Sequence, residues 1–172
     1  ARSVAYFRQG LRNEALTELD SLIAEMPNNP WLHELKGQVY FETGIAPLGI
    51  APYQKAVALR PNEPLLMIGL ASCLLSKGAE GGTANRAVNR QAIDHLRAAL
   101  RLDPLNGAAY LQMSKGYGQL GEMAMAQWAL AEYYAAAGSP EARRHAQRAI
   151  KGLPKGSVEY IRAVDILSAV KR

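Results

Sequence analysis

Cysteine and histidine are scarce in this chain, and their scarcity excludes several kinds of site. The 172 residues include one cysteine, Cys73, so no disulfide can form within the chain. Cys73 lies in the apolar run LASCLL, where we expect it to pack as a small hydrophobic side chain. The three histidines, His33, His95 and His145, are scattered, and no two have the i, i+4 spacing that places two metal ligands on one helix face.

Sequence motifs that carry catalysis are missing too. The chain has no HExxH, no CxxC and no GxxxxGKS or GxxxxGKT, and the GGT at 81–83 does not make a phosphate-binding loop. Nothing in the order of serine, histidine and aspartate suggests a nucleophile elbow or a catalytic triad. We therefore expect this chain to hold no catalytic residue, no metal ion and no cofactor.

Long apolar runs and regularly spaced aromatic residues are also absent. No run approaches the roughly 18 apolar residues that a membrane span needs. The first ten residues lack an initiator methionine and the apolar core of a signal peptide, so we expect a soluble fragment or a mature form. Because basic residues do not recur together with aromatic ones, we expect no nucleic-acid binding.

Glycine and proline, in contrast, recur at regular intervals. The glycines are 34, 34 and 43 residues apart and the prolines 34 and 43 apart, at Gly10, Gly44, Gly78 and Gly121 and at Pro27, Pro61 and Pro104. This pattern resembles the tetratricopeptide repeat (TPR), a pair of helices of about 34 residues with glycine at the mid-repeat turn. It predicts an all-α fold, a right-handed TPR superhelix (an α-α solenoid) of about ten helices with a C-terminal capping helix.

Residues 30–63 give the clearest repeat unit. The TPR resemblance implies that Gly37, Gly49 and Ala56 lie where neighbouring helices approach most closely and only small side chains fit. Gly44 is expected to close the first helix in the left-handed conformation. Pro61 is expected to follow the end of the second helix, because proline cannot continue it.

The other units follow from this register within one domain, 1–172. Their approximate bounds are 1–29, 30–63, 64–106, 107–137 and 122–156, and the last two share a helix because only seventeen residues separate Gly121 from Gly138. Residues 79–91 are rich in glycine, alanine and polar residues, which predicts a loop insertion. Residues 157–172 predict an amphipathic capping helix that begins at Ser157 and uses its apolar residues to cover the last repeat: Val158, Ile161, Val164, Ile166 and Leu167.

The TPR resemblance implies a partner-binding groove lined by the first helix of each unit. The residues that it places there are Trp31, Glu34, Gln38, Phe41, Leu65, Ile68, Ser72, Leu111 and Lys115. Only Lys115 among them suits the carboxylate clamp of chaperone-tail binders, so we expect apolar contacts with an extended peptide or a folded protein. Trp31, Phe41 and Trp128 are candidate anchors, with core packing as the alternative for each.

Positive charge is concentrated at the C-terminal end. The chain has a net charge of +5, and residues 141–172 carry eight basic and three acidic residues. Arg143, Arg144 and Arg148 are candidates for an electrostatic docking face, and an ordinary solvated helix face is the alternative.

Three stretches have a narrower resemblance: NPWLHELKGQVYFETG, NEPLLMIGLASCLL and EARRHAQRAIKGLPKGSVEYIRAVDIL. They resemble the C-terminal TPR domain of bacterial periplasmic zinc metalloproteases of the BepA-like type. This resemblance implies an HExxH zinc domain upstream of Ala1, a periplasmic location, and partners among outer-membrane proteins and their assembly machinery. The basic C-terminal region would then be placed to pack on the protease domain.

Two functions therefore fit the sequence. The first is the substrate- or partner-binding TPR domain of such a protease, and the second is a stand-alone scaffold or adaptor in a multiprotein complex, with no protease attached.

Overall fold

The structure is a computed structural model that describes residues 2–79 and 83–169. Within these ranges the chain forms ten α-helices, one short 3-10 helix and no strand, which confirms the all-α prediction. The helices are α1 (Arg2–Arg8), α2 (Arg12–Glu25), α3 (Pro30–Glu42), α4 (Ile50–Leu59), α5 (Pro64–Gly78), α6 (Thr83–Leu102), α7 (Gly107–Leu120), α8 (Met123–Ala136), α9 (Glu141–Ala149) and α10 (Val158–Ala169), with the 3-10 helix at Ala46–Gly49 before α4.

The helices stack in chain order, as in a solenoid. Each helix packs on the next, and α3, α5 and α7 also contact one another in sequence, so that they form a layer of their own. We call α3, α5 and α7 the first-helix layer. At the C-terminal end, α8 contacts α7, α9 and α10. Buried residues between Ala46 and Ile166 form one connected hydrophobic cluster.

Glycine closes most of the turns by adopting a left-handed backbone. Gly10, Gly44, Gly121 and Gly138 have φ values of 75°, 81°, 78° and 65°. Residues with a Cβ atom disfavour this conformation, so glycine is the residue of lowest cost at these positions. The prediction for Gly44 is therefore confirmed.

Gly78 does not follow this rule, although it keeps the repeat spacing. It is the buried last residue of α5, and it is not among the positive-φ glycines. A Cβ atom at Gly78 would overlap the side-chain carboxamide of Asn89, which comes from α6 and is 2% exposed. Gly78 thus serves a close helix contact and not a turn.

The loop insertion predicted at 79–91 is wrong from Thr83 onward. Residues 83–91 form the first turns of α6, which at 20 residues is the longest helix described, and residues 80–82 lie outside the described ranges. Alanine, arginine and glutamine are strong helix formers, and Val88, Ala92 and Leu96 give the segment an apolar stripe at helical spacing. The extra residues therefore lengthen a helix.

The last helix packs with only part of its apolar surface. Ala163 and Ile166 are buried and Leu167 is partly buried against the core, and the Tyr160 N–H donates to Ser157 Oγ at 3.1 Å, which confirms the predicted N-cap. The other predicted covering residues, Val158, Ile161 and Val164, are exposed instead. They recur every three residues on the opposite side of α10, so the helix presents a second apolar stripe to solvent.

Candidate partner-binding surface

Helix α3 carries the most exposed apolar surface of the first-helix layer. Trp31 is 46% exposed and Phe41 is 40% exposed, and Gln38 is exposed between them. Their spacing of seven and three residues places the three side chains on one face of the helix. Trp31, Gln38 and Phe41 therefore form an exposed stripe, which we call the α3 stripe, whereas the fourth predicted residue of α3, Glu34, is half-buried.

Two contacts position Trp31, one through its backbone and one through its ring. Asn29 caps α3 by accepting a hydrogen bond from the Trp31 N–H at 3.1 Å, which fixes the backbone at the start of the helix. The guanidinium of Arg60, at the end of α4, lies over the indole ring, 5.7 Å from its centroid. This cation–π contact orients the ring while leaving nearly half of it open to solvent.

Carboxylates lie near both ends of the α3 stripe. Burial raises the pKa of the Glu34 carboxyl, and the nearby charge of Glu63 raises it further. Gln38 donates a hydrogen bond to Glu42 at 2.7 Å, so a further carboxylate lies beside the stripe. The α3 surface therefore combines apolar anchors with negative charge.

The contribution of α5 differs from the prediction. Leu65 is 60% exposed, as a groove residue should be, but Ile68 and Ser72 are buried. The Ser72 hydroxyl donates to the Ile68 carbonyl at 2.9 Å and is thereby satisfied within its own helix. Assigning these two residues to the groove surface is therefore wrong, because the middle of α5 is covered by its neighbours.

Helix α7 approaches α5 closely. A Cβ atom at Gly116 of α7 would lie 3.1 Å from Leu75 Cδ2 of α5, so glycine brings the two helices together. Gln119 donates to the Leu75 carbonyl at 3.3 Å across the same contact. Of the predicted α7 residues, Lys115 is exposed and Leu111 is half-buried.

Trp128 lies in the core and is not an exposed anchor. Its ring is 8% exposed and meets Tyr110 edge to face, with the ring centroids 5.9 Å apart. The sequence allowed either an exposed anchor or a core side chain for both Trp31 and Trp128. The packing of neighbouring helices leaves Trp31 exposed and buries Trp128.

The predicted basic residues lie on α9, away from the first-helix layer. Arg144 and Arg148 are exposed and Arg143 is half-buried. Arg144 forms an ion pair with Glu141 one turn earlier, whereas Arg143 and Arg148 form no ion pair with a described residue. The structure thus places a basic face on the C-terminal repeat, separate from the α3 stripe.

The described residues include no cluster of three or more potential metal ligands. Two histidines have structural partners: His33 Nε2 lies 2.8 Å from the Pro27 carbonyl, and His145 Nδ1 lies 2.8 Å from Gln127 Oε1. Burial raises the pKa of the Cys73 thiol to about 12, as expected for an inert core side chain. None of the helices in these ranges is both long and apolar enough to cross a bilayer.

Arg60 and Glu63 belong to the surface but were not predicted from the sequence. Both lie in the turn between α4 and α5, where the repeat pattern assigns residues to a connection and not to the groove. A basic residue 29 positions after Trp31 gives no local signal, since only the packing of the repeat brings the two together.

No protein-family model matches the sequence, and no curated protein matches it either. Solved structures do match. MamA is 22% identical, with a TM-score of 0.72 over 98% of this chain and 91% of its own, and a MamA fragment from Desulfovibrio magneticus RS-1 is 16% identical, with a TM-score of 0.69 over 99% and 93%. TTC0263, a thermophilic TPR protein of Thermus thermophilus, is 20% identical, with a TM-score of 0.60 over 96% and 95%. The chain therefore has the TPR fold.

Proposed function

We propose that the protein binds a protein partner through the first-helix layer, with the α3 stripe as the main contact. The exposure of Trp31, Phe41 and Leu65 carries this proposal, because large apolar side chains that stay open to solvent are typical of interaction surfaces. Aromatic anchors contribute most of the binding energy at such surfaces, and the surrounding polar groups select the partner.

The chemistry of the surface favours an extended segment with apolar side chains. Ile68 and Ser72 are buried, so the middle of α5 offers little side-chain surface to a partner. Contacts with the partner are therefore concentrated on α3 and α7, the two outer helices of the layer. Glu34 and Glu63 favour a cationic group near Trp31, and Glu42 favours one near Phe41. Lys115 favours an acidic group at α7.

We further propose that this module serves a periplasmic zinc metalloprotease in outer-membrane protein quality control. The resemblance of three sequence stretches supports this assignment. In this proposal the chain contributes binding only, takes no cofactor, and delivers its partner to an HExxH domain elsewhere in the polypeptide. A stand-alone scaffold is the alternative. Sequencing the gene upstream of Ala1 separates the two, since a gene without an HExxH domain removes the protease link.

Site-specific crosslinking tests the binding surface directly. A photo-crosslinking residue replaces Gln38 on the α3 stripe or, as a matched control, Gln54, an exposed glutamine on α4. We expect a discrete partner to crosslink at position 38 and not at position 54. Crosslinking confined to position 54 would show that the partner uses the other face of the solenoid.

Variants of the anchors give the quantitative form of this test. Replacing Trp31 and Phe41 by Ala should weaken partner binding by about 1–4 kcal/mol if they are hot spots. Because both side chains are at least 40% exposed, the helical circular dichroism signal should stay unchanged. A collapse of that signal would instead assign the two residues to the core.

A further inference from the structure

A cavity lies at the C-terminal end, away from the α3 stripe. It has a volume of about 300 Å³ and is formed by α6, α7, α8 and α10, with Arg97, Arg101, Tyr110, Met113, Trp128 and Glu159 among its lining residues. Two guanidinium groups, an aromatic pair and one carboxylate therefore line one pocket that is open to solvent.

The basic wall of the cavity comes from one helix. Arg97 and Arg101 are one turn apart on α6, so their side chains extend from the same face. Arg97 donates to the Tyr117 hydroxyl at 3.0 Å, which fixes its position, and Arg101 has no hydrogen bond or ion pair with any described residue. Like charges at this spacing repel each other, and an anion between them removes the repulsion.

The opposite walls are also held in place. Tyr110 and Trp128 meet edge to face at 5.9 Å, and α10, which carries Glu159, is joined to α8 by the Glu132–Arg162 ion pair. That pair neutralises Glu132, so Glu159 is the carboxylate left facing two guanidiniums among the described lining residues. The cavity therefore has a net positive charge.

Trp128 also carries an unsatisfied donor. The Nε1–H of Trp128 is buried and has no hydrogen-bond partner in the described part of the chain. Buried donors are normally paired, so this indole N–H is an exception within the core.

We propose that this cavity binds a carboxylate group of a peptide, with Arg101 and Arg97 as its cationic partners and the edges of Tyr110 and Trp128 against the adjoining apolar atoms. The site goes beyond the proposed function, because no residue of the α3 stripe lines this cavity. Arginine suits this ligand since its planar donors match the geometry of a carboxylate.

Trp128 fluorescence tests the proposal without interference from the other surface. The chain has two tryptophans, so Trp31→Phe leaves Trp128 as the sole indole reporter. The probes are the peptide Ac-Gly-Leu-Asp-Leu-Gly-NH2, its asparagine counterpart, and Ac-Gly-Leu-Gly-Leu-Gly with a free C-terminal carboxylate. We expect saturable binding of at least one carboxylate peptide. The asparagine peptide should bind at least about tenfold more weakly than that peptide.

Charge variants predict effects of opposite sign. Arg101→Gln should weaken carboxylate binding about tenfold or more, whereas Glu159→Gln should tighten it by removing a like charge. Arg8→Gln, which removes the same charge from exposed α1, should change nothing. Thermal melts of each variant confirm that the fold is retained.

The peptide that binds identifies the source of the carboxylate, a side chain or a chain terminus, and either result supports the site. Equal binding of the asparagine peptide would overturn the proposal, as would the absence of any fluorescence or NMR shift change at millimolar peptide. An Arg101→Gln variant that binds like the parent would do the same. Loss of crosslinking at position 38 leaves this site unaffected, so the two proposals fail independently.

Discussion

Arg162 of α10 donates two hydrogen bonds to Glu132 of α8, from Nε to Oε1 and from Nη2 to Oε2, each 2.9 Å long. The Glu132 side chain is 5% exposed, whereas that of Arg162 is half-exposed. The paired geometry raises the pKa of the Arg162 guanidinium. Because Glu132 is buried, its charge depends on Arg162 for compensation, and the ion pair joins the last helix to the body of the solenoid.

Replacing Arg162 by Met should therefore destabilise the fold by about 2 kcal/mol, since it leaves a buried carboxylate without its partner. This value lies below that of a fully buried pair because the guanidinium is half in solvent. Urea denaturation followed by circular dichroism measures the change. The double variant Arg162→Met with Glu132→Gln should recover part of the loss, and a single variant as stable as the parent would show that water compensates Glu132.

Tyr53 is held between glycines of two different helices, which predicts a steric effect. A Cβ atom at Gly37 of α3 would lie 2.5 Å from Tyr53 Cδ2, and one at Gly69 of α5 would lie 2.5 Å from Tyr53 Cζ. The ring is 7% exposed and cannot move away from one glycine without meeting the other. Gly69→Ala should cost about 1–3 kcal/mol through overpacking, despite the better helix propensity of alanine.

Gly118→Ala is the matched control for this effect. Gly118 lies in a helix, as Gly69 does, but a Cβ atom there would meet no atom within 4 Å. The substitution should be neutral or stabilise the protein by up to about 1 kcal/mol. If thermal melts show that both variants gain stability, the Tyr53 contact is looser than the structure indicates.

How far the sequence predicts the fold is clearest in the glycines. The spacing of Gly10, Gly44 and Gly121 located three turns, because a left-handed residue at a helix end leaves a strong compositional signal. Gly78 has the same spacing, yet its role depends on Asn89, eleven residues later in another helix. A glycine that allows close packing cannot be distinguished from one that closes a turn without knowing its neighbours.

The candidate site was predictable to a similar extent. Repeat register placed Trp31, Phe41 and Leu65 on the exposed layer, since position within a helix decides which face a residue occupies. It could not anticipate that Gly116 would bring α7 against Leu75 and that Ile68 and Ser72 would be buried. The distance between two neighbouring helices depends on the sizes of the side chains on both helices. The repeat register of one helix therefore does not predict it.

The basic face of α9 should affect the association rate of a partner more than its equilibrium affinity. Arg144→Glu together with Arg148→Glu reverses the two exposed charges of this face. If an acidic partner surface docks here, association should slow by about tenfold at low ionic strength and less at high salt. Stopped-flow measurements with the partner that crosslinks at position 38 provide the rates. Unchanged association at low salt would mean that the face is merely solvated.

His145 makes stability depend on pH in a predictable direction. Its ring is buried, stacks on Tyr134 of α8 with the ring centroids 5.1 Å apart, and hydrogen-bonds Gln127. Burial lowers the pKa of His145, the charges of Arg144 and Arg148 lower it further, and Glu141 opposes them. Burial also lowers the pKa of His95, against the opposing charge of Asp94.

Because the folded pKa of His145 lies below its ordinary value of 6.5, the unfolded chain takes up a proton first as the pH falls. The stability contributed by the neutral ring is therefore complete above pH 6.5 and is lost as the pH falls through the window between 6.5 and the lower folded pKa. We expect the melting temperature to be constant between about pH 7 and 8 and to fall toward about pH 5. His145→Gln should flatten this decline, and His95→Gln should remove the remaining share. If neither variant changes the slope, carboxylates and not histidines determine the acid sensitivity.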